Sequence, residues 1–523
     1  MQPGGEALSR TGMVTSPDLR ASQAGRHVLA AGGNAVEAVV AAGAVLAVTN
    51  PHFCGLGGDA VWLLADGEGR RDCLLGIGQA AGALPAYPDG IPTRGPLSAL
   101  TSACLVDSWE TALDLSRKSW GGTGMLSDLL EPAVRLAADG FPLTGSQAWW
   151  RKFRAGSAED WPGFLPLFAA DRAGEPFRQP QLARSFQRIQ RYGAREFYEG
   201  ALAADIARGL AAAGSPLRVT DLRAARTRHA EPVSLDYRGT TLLAPPPPTQ
   251  GVTTLAIMGI LARCDLQPLV PGGPEHLHHL VEAVKRAFLD RPGIADPDVV
   301  AQHTEEWLSA ARLDAHAAAI EPERAMAWPH RFRSGDTVFL AACDAQGRCA
   351  SVLQSLYFDW GSGVVAGDTG ILWQNRGAAF STEAGDPNCL APGKRPFYTL
   401  NPGIGLREGR PSLLYGTQGA DGQPQTLSLV LSNLLDFGLS PAQALAAPRF
   451  LLGRTFSDTR DSLKLEESAG EATIAQLSRR GHELAVIPHF SPLAGQAGVI
   501  AIGADGTMRG AHDPRSDGAA LGL

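Results

Sequence analysis

Cysteine, long apolar runs and clustered charge of one sign are all scarce in this sequence. Seven cysteines occur in 523 residues, an odd number with no Cys-x-x-Cys spacing. That disfavours a disulfide framework or a thiolate metal motif and suits free thiols in a reducing compartment. The apolar run Ala38 to Val48 is far shorter than the roughly 20 residues a membrane helix needs. Its alanines at helical spacing predict a buried core helix instead. The net charge is −7 with no basic tract, so neither nucleic acid nor an anionic membrane is an expected partner. The opening Met1-Gln2-Pro3-Gly4-Gly5-Glu6 carries neither a basic nor an apolar export segment, so a cytoplasmic location is expected.

What is present is a hairpin with a chemically suggestive start. Ser334-Gly335-Asp336-Thr337-Val338-Phe339-Leu340-Ala341-Ala342 and the run Arg348 to Tyr357 flank Cys343-Asp344-Ala345-Gln346-Gly347. With the turn at Asp344 to Gly347, pairing places Ser355 opposite or next to Thr337. If the Asp336–Thr337 bond is cut, Thr337 becomes an N-terminus with a hydroxyl and a free amine. A threonine hydroxyl needs an adjacent base, and a terminal amine with a pKa near ~8 serves without recruiting a histidine. The plain alternative is an edge strand with an incidental threonine.

Motifs along the whole chain favour the chemical reading. They include Gly12-Met13-Val14-Thr15-Ser16-Pro17, Gly32-Gly33-Asn34-Ala35-Val36-Glu37-Ala38, Pro51-His52-Phe53-Cys54-Gly55-Leu56-Gly57-Gly58 and Pro246-Pro247-Pro248-Thr249-Gln250-Gly251. Gly361-Ser362-Gly363-Val364-Val365, Pro392-Gly393-Lys394-Arg395-Pro396 and Gly416-Thr417-Gln418-Gly419-Ala420-Asp421 follow. In this order and spacing the chain resembles the γ-glutamyltranspeptidase family of N-terminal-nucleophile hydrolases. The resemblance implies a four-layer αββα sandwich built from two intertwined segments, 1–336 and 337–523. It implies two chains cut from one precursor, with further dimerisation left open, a small amide as substrate, and no cofactor or metal. Thr337 matches the processed nucleophile. Ser355 matches a threonine that supports its amine, and Gly419 and Ala420 match a Gly-Gly pair forming the oxyanion hole. Alanine keeps the N–H, although a positive φ there would cost something.

Departures from the family pattern bear on the substrate. Ile77 stands where transpeptidases carry an arginine for the γ-glutamyl group. Tyr357 replaces an asparagine, Ala379 an aspartate that holds an α-ammonium, and Tyr398-Thr399 a Ser-Ser pair at the α-carboxylate. A zwitterionic head group needs both charges matched, so glutathione is a poor expected substrate. Gln374-Asn375-Arg376-Gly377 and Asp513-Pro514-Arg515-Ser516-Asp517-Gly518 resemble the branch containing oxamate amidohydrolase. Arg376 offers a planar fork for a carboxylate without a neighbouring amine; its alternative is an ordinary structural ion pair. Tyr357, Tyr398, Thr399 and Asp421 are candidate substrate contacts, and Trp373 is expected near the pocket. A γ-glutamyl hydrolase or transferase, an acylase for a larger dicarboxylic side chain, and an uncleaved binding protein are the competing readings.

Other features read as scaffold. Gly55-Leu56-Gly57-Gly58 lacks the residues of a phosphate loop and reads as a turn into the strand Ala60 to Leu64. Glu275-His276-Leu277-His278-His279 suggests metal ligands, yet Leu277, Leu280, Val281 and Val284 make a packed helix the expected role. Helices are expected at Leu126 to Ala138, Thr426 to Leu435, Ala442 to Ala447 and Glu471 to Arg480. A final hairpin is expected at Gly498 to Ile502 and Met508 to Ala511, within mixed sheets. The segment Glu321 to Gly335 suits a mobile tail freed by cleavage.

Overall fold

The strand that carries Thr337 lies third in a seven-stranded sheet. The computed structural model describes residues 5–328, 336–453 and 461–523. This sheet runs Ala519–Gly522, Gly12–Ser16, Asp336–Asp344, Cys349–Tyr357, Asp59–Ala65, Arg71–Gly76, Arg228–Ala230. A second seven-stranded sheet runs Ala7–Ser9, Met508–His512, Ala497–Ile502, Arg410–Thr417, Gly403–Arg407, Thr240–Ala244, Val233–Tyr237. Both sheets draw strands from either side of Asp336, so the two segments are interleaved. Every pairing in the two large sheets is antiparallel. The expected mixed sheets are therefore corrected: among the described strands the one parallel pairing is in a small sheet, between Leu463–Glu466 and Leu484–Ile487. Local alternation looks the same for either strand direction, which is why the sequence left this undecided.

Side-chain alternation assigns the layers. Along the strand Asp336–Asp344, Val338, Leu340 and Ala342 face a helical layer, whereas Phe339, Ala341 and Cys343 enter the core between the sheets. Behind the sheet that carries Thr337 lies the helix Ala35–Thr49, buried along its whole length and capped by Asn34 with Glu37 in a capping box. Behind the other sheet, the helices Gly251–Leu261, Pro274–Ala287 and Gln423–Leu435 supply a separate apolar cluster. The result is the four-layer αββα sandwich. Among the described residues no helix is long and apolar enough to cross a membrane.

Most expected elements are present within a few residues. The core helix over 38–48, the strand over 60–64, the helix over 426–435 and the 498–511 hairpin all form. The helix expected over 126–138 is split into Leu126–Leu129 and Glu131–Asp139, with Pro132 placed where the second piece begins. Gly140 closes it at φ 90°. Residues 321–326 are not the start of a loose tail. Glu282 accepts from the Met326 N–H, Lys285 Nζ donates to Met326 O, and Arg480 donates to Pro322 O. The rest of that expectation, residues 329–335, lies outside the described residues.

One close approach sets the spacing between the sheets where it matters. A Cβ on Gly416 would sit 2.1 Å from the Phe339 ring. Phe339 is two residues after Thr337, and Gly416 is three before Gly419. The bare glycine thus lets the end of one sheet settle over the strand Asp336–Asp344 of the other. Gly416→Ala is expected to destabilise the protein by about 1–3 kcal/mol, measured as a lowered denaturation midpoint, together with slower production of the two-chain form.

Candidate active site

A bulge at the head of the strand Asp336–Asp344 brings two hydroxyls together. Asp336 pairs with Tyr357 and Val338 with Gln354, so the register slips between them and leaves Thr337 beside Ser355. Thr337 Oγ1 donates to Ser355 Oγ at 3.2 Å, and Ser355 Oγ accepts from the Tyr357 N–H at 2.8 Å. Both side chains are buried. The turn forms at Asp344 to Gly347, the position expected from the sequence, with Gly347 N–H donating to Asp344 O and Gly347 at φ 73°. Gln423 Nε2 also reaches Thr337 Oγ1 at 3.5 Å; this contact had no signal in the hairpin itself.

Gly419 and Ala420 form the turn between the strand Arg410–Thr417 and the helix Gln423–Leu435. Their φ angles are 123° and 41°, so the left-handed geometry suspected for the alanine is present and strains it. Among the described residues, neither N–H donates to a protein acceptor. The turn is held from outside: Gln250 Nε2 donates to Ala420 O and to Thr399 O, both at 2.7 Å, and Gln418 N–H donates to Gln496 O at 2.9 Å. The proline-rich motif finds its purpose here, since Tyr398 N–H donates to Pro248 O and Gln250 N–H to Tyr398 O.

Arg376 is completely buried, and its guanidinium carbon lies 4.0 Å from the Tyr357 ring centroid and 4.5 Å from that of Tyr398. Nη1 donates to Thr399 Oγ1 at 3.2 Å, while Nε and Nη2 have no hydrogen-bond partner among the described residues. Those two nitrogens share one edge of the fork, with N–H bonds running parallel. Burial pulls the guanidinium below its usual range, opposed by Tyr398, Tyr357, Asp59 and Asp421. Among the described residues no carboxylate forms an ion pair with it, although Asp59 and Asp421 act on it electrostatically. A buried, half-satisfied guanidinium between aromatic faces suits a planar anion.

Asp59 stands behind this pocket, and sequence reasoning missed it. Its Oδ2 accepts from the Tyr398 hydroxyl at 2.8 Å, and Oδ1 accepts the N–H groups of Gly78 and Cys104 at 3.0 and 2.9 Å. Burial pushes its carboxyl up to about 6, against the Tyr398 hydrogen bond and the Arg376 charge. The one available signal was its place at the end of Gly55-Leu56-Gly57-Gly58. That turn starts the strand Asp59–Ala65, whose Asp59 pairs with Ser355.

The remaining candidates divide. Asp421 is ion-paired to Arg291, whose guanidinium lies over Phe397 and Phe288. Ala379 packs with Tyr357, Phe358 and Ala378 in a small apolar cluster, and Ile77 lies in the core between the sheets. Trp373 belongs to the helical layer, where its indole N–H donates to Thr101 O and its ring stacks on Phe197; it contributes to the scaffold beneath Arg376. In the histidine-rich helix, His276 hydrogen-bonds Gly272 and Ser432. His278 hydrogen-bonds His482 and Glu321 O. Glu282, close to both, is taken by Lys285, Arg286 and Met326. The ligand atoms of His278, Glu282 and His482 lie within 4.8 Å of one another, with Glu282 bound to cations and His278 Nε2 donating to a carbonyl oxygen.

Tyr357 shows what the pocket demands locally. It holds φ 82°, a conformation that favours asparagine and costs a bulky residue about 1 kcal/mol or more. Its ring under Arg376 accounts for keeping it. Tyr357→Asn is expected to leave the denaturation midpoint unchanged or raised, yet to weaken binding of a small planar carboxylate by roughly 5- to 30-fold, measured by titration calorimetry.

The gamma-glutamyltranspeptidase family pattern matches residues 21–523. An oxamate amidohydrolase proenzyme of Klebsiella pneumoniae is 41% identical, over 98% of this chain and 99% of its own length. A glutathione hydrolase-like proenzyme of Bacillus subtilis is 39% identical over 98% of both. A crystal structure of cephalosporin acylase from Bacillus halodurans superposes with a TM-score of 0.91 at 30% identity, covering 99% of this chain and 97% of that one.

Proposed function

We propose that this chain, which belongs to the gamma-glutamyltranspeptidase family, is a self-processing amidohydrolase that uses Thr337 to hydrolyse oxamate to oxalate and ammonia. The observation that carries the substrate class is the unpaired Nε/Nη2 edge of buried Arg376. An oxamate amidohydrolase among its relatives supports the choice within that class.

In processing, Thr337 Oγ1 attacks the Asp336 carbonyl carbon. The C–N bond breaks, its nitrogen takes the proton, and an ester joins Asp336 to the Thr337 oxygen. Water hydrolyses that ester, leaving the Asp336 carboxylate and a Thr337 with free hydroxyl and amine. Chains 1–336 and 337–523 then remain together, because their strands are interleaved in both sheets.

In turnover, the neutral amine takes the Thr337 hydroxyl proton as the oxygen attacks the substrate amide carbon. Gly419 and Ala420 N–H groups receive the developing oxyanion, each contributing on the order of 3 kcal/mol. The ammonium returns its proton to the leaving nitrogen, ammonia departs, and water cleaves the acyl ester with the amine as base. Ser355 orients the amine, Arg376 holds the substrate carboxylate with Tyr357 and Tyr398 on its faces, and Thr399 fixes the guanidinium. Asp421 is engaged by Arg291 and shapes the pocket wall.

The γ-glutamyl reading has little support from the site. Ala379 and its apolar neighbours offer no countercharge for an α-ammonium. An acylase for a larger dicarboxylic group is a second reading, favoured by the likeness to a cephalosporin acylase; the same arginine would bind its distal carboxylate. Intact mass and ammonia release test the proposal together. The wild-type protein is expected as two chains meeting at Asp336/Thr337 that release ammonia from oxamate. Thr337→Ala is expected as one chain with no release. A processed, active alanine variant would overturn the mechanism, and faster turnover of a glutaryl amide or γ-glutamyl-p-nitroanilide would overturn the substrate.

A further inference from the structure

We propose that Asp59 is the countercharge that sets how tightly the Arg376 pocket holds a carboxylate, taking up a proton when the anion binds. The inference rests on the reading that Arg376 receives the carboxylate of the ligand. Arg376 and Asp59 are both fully buried and are linked through Tyr398, which lies on the guanidinium and donates to Asp59. Without ligand, Asp59 is the acidic group of the pocket with no ion-pair partner of its own among the described residues, since Asp421 has Arg291.

A ligand carboxylate on the Nε/Nη2 edge places a second negative charge in a volume that contains one guanidinium. Each anion disfavours the other at low dielectric. A proton on Asp59 relieves the conflict, and its carboxyl, already pushed up to about 6 by burial, is poised to accept it. The groups facing Asp59 do not compete for that proton. The Cys104 thiol is held protonated by burial and by Asp107 and Asp59, Tyr398 keeps its proton for the same kind of reason, and Gln374 is neutral. Binding raises the affinity of Asp59 for a proton, so carboxylate affinity must fall as pH rises through about 6 and above.

Geometry supplies a clean variant. In Asp59→Asn, the amide oxygen can keep both backbone N–H bonds from Gly78 and Cys104. The amide nitrogen donates to the Tyr398 oxygen, whose O–H turns to Gly78 O, already 3.3 Å away. The charge is removed and the hydrogen bonds are retained. Oxalate binding to the processed protein is measured by calorimetry in buffers of differing ionisation enthalpy. Wild type is expected to show proton uptake, and the variant to lose it and to bind roughly 10-fold more tightly at pH 8, with a flattened pH dependence. Any proton taken by the Thr337 amine is common to both proteins and cancels. Tyr398→Phe, which keeps the Asp59 charge, is expected to bind more weakly while retaining the uptake.

Equal uptake in Asp59→Asn, or weaker binding by it, would overturn the proposal and leave Asp59 as a structural acceptor. If the variant does not fold, buffer-independent binding by wild type alone would overturn it. Absence of oxalate binding by wild type would instead sink the reading of Arg376.

Discussion

The account turns on a buried positive charge left half satisfied. Removing a guanidinium from water costs several kcal/mol unless its donors are matched. Arg376 has one nitrogen on Thr399, two aromatic faces, and an open edge. The surrounding fold tolerates that deficit because the neighbours are themselves fixed. Tyr398 is held by Asp59 and by the proline-rich loop, and Thr399 O is held by Gln250. Tyr357 accepts a left-handed backbone to bring its ring into place. Such concentrated local strain and unmet polarity marks a site built for a ligand rather than for stability.

The same framework ties the anion pocket to the chemistry. Gln250 bridges Thr399 O and Ala420 O, so the segment beside Arg376 and the Gly419-Ala420 turn share one hydrogen-bonded tie. Gln423 follows that turn and reaches Thr337 Oγ1. Phe339 against Gly416 fixes the distance between the sheets at the same end. Positioning of this kind matters because small displacements of reacting groups cost large factors in rate. The acidic groups of the pocket are also differentiated: Asp421 is neutralised by Arg291, whereas Asp59 faces the guanidinium only across a tyrosine.

Local signals in the sequence reached as far as local physics allows. Two β-rich runs around Asp344 to Gly347 were enough to bring Thr337 and Ser355 together, because a short hairpin leaves little freedom of register. Arg376 and the Gly419-Ala420 turn were legible through the resemblance, and even the strain on Ala420 could be anticipated. Asp59 was not, since its partner Tyr398 is 339 residues away and the glycine turn before it explains itself without it. Gln250 and Arg291 escaped for the same reason of distance. The direction of the sheet pairings and the edge strand Ala519–Gly522 were hidden because short alternating segments carry no record of their neighbours. Trp373, expected at the pocket, lies behind it because sequence proximity to Arg376 says nothing about which face a ring occupies.

The central claim is that Arg376 selects a substrate for its carboxylate. It is tested most directly by comparing ammonia release from oxamate with release from oxamide, which presents the same reacting amide with a neutral amide in place of the carboxylate. Losing a charge-assisted, bidentate contact in a buried site amounts to about 3 kcal/mol or more, a factor of roughly 100. The account therefore predicts that kcat/KM for oxamate exceeds that for oxamide by at least about two orders of magnitude. Equal efficiency on the two substrates would contradict it.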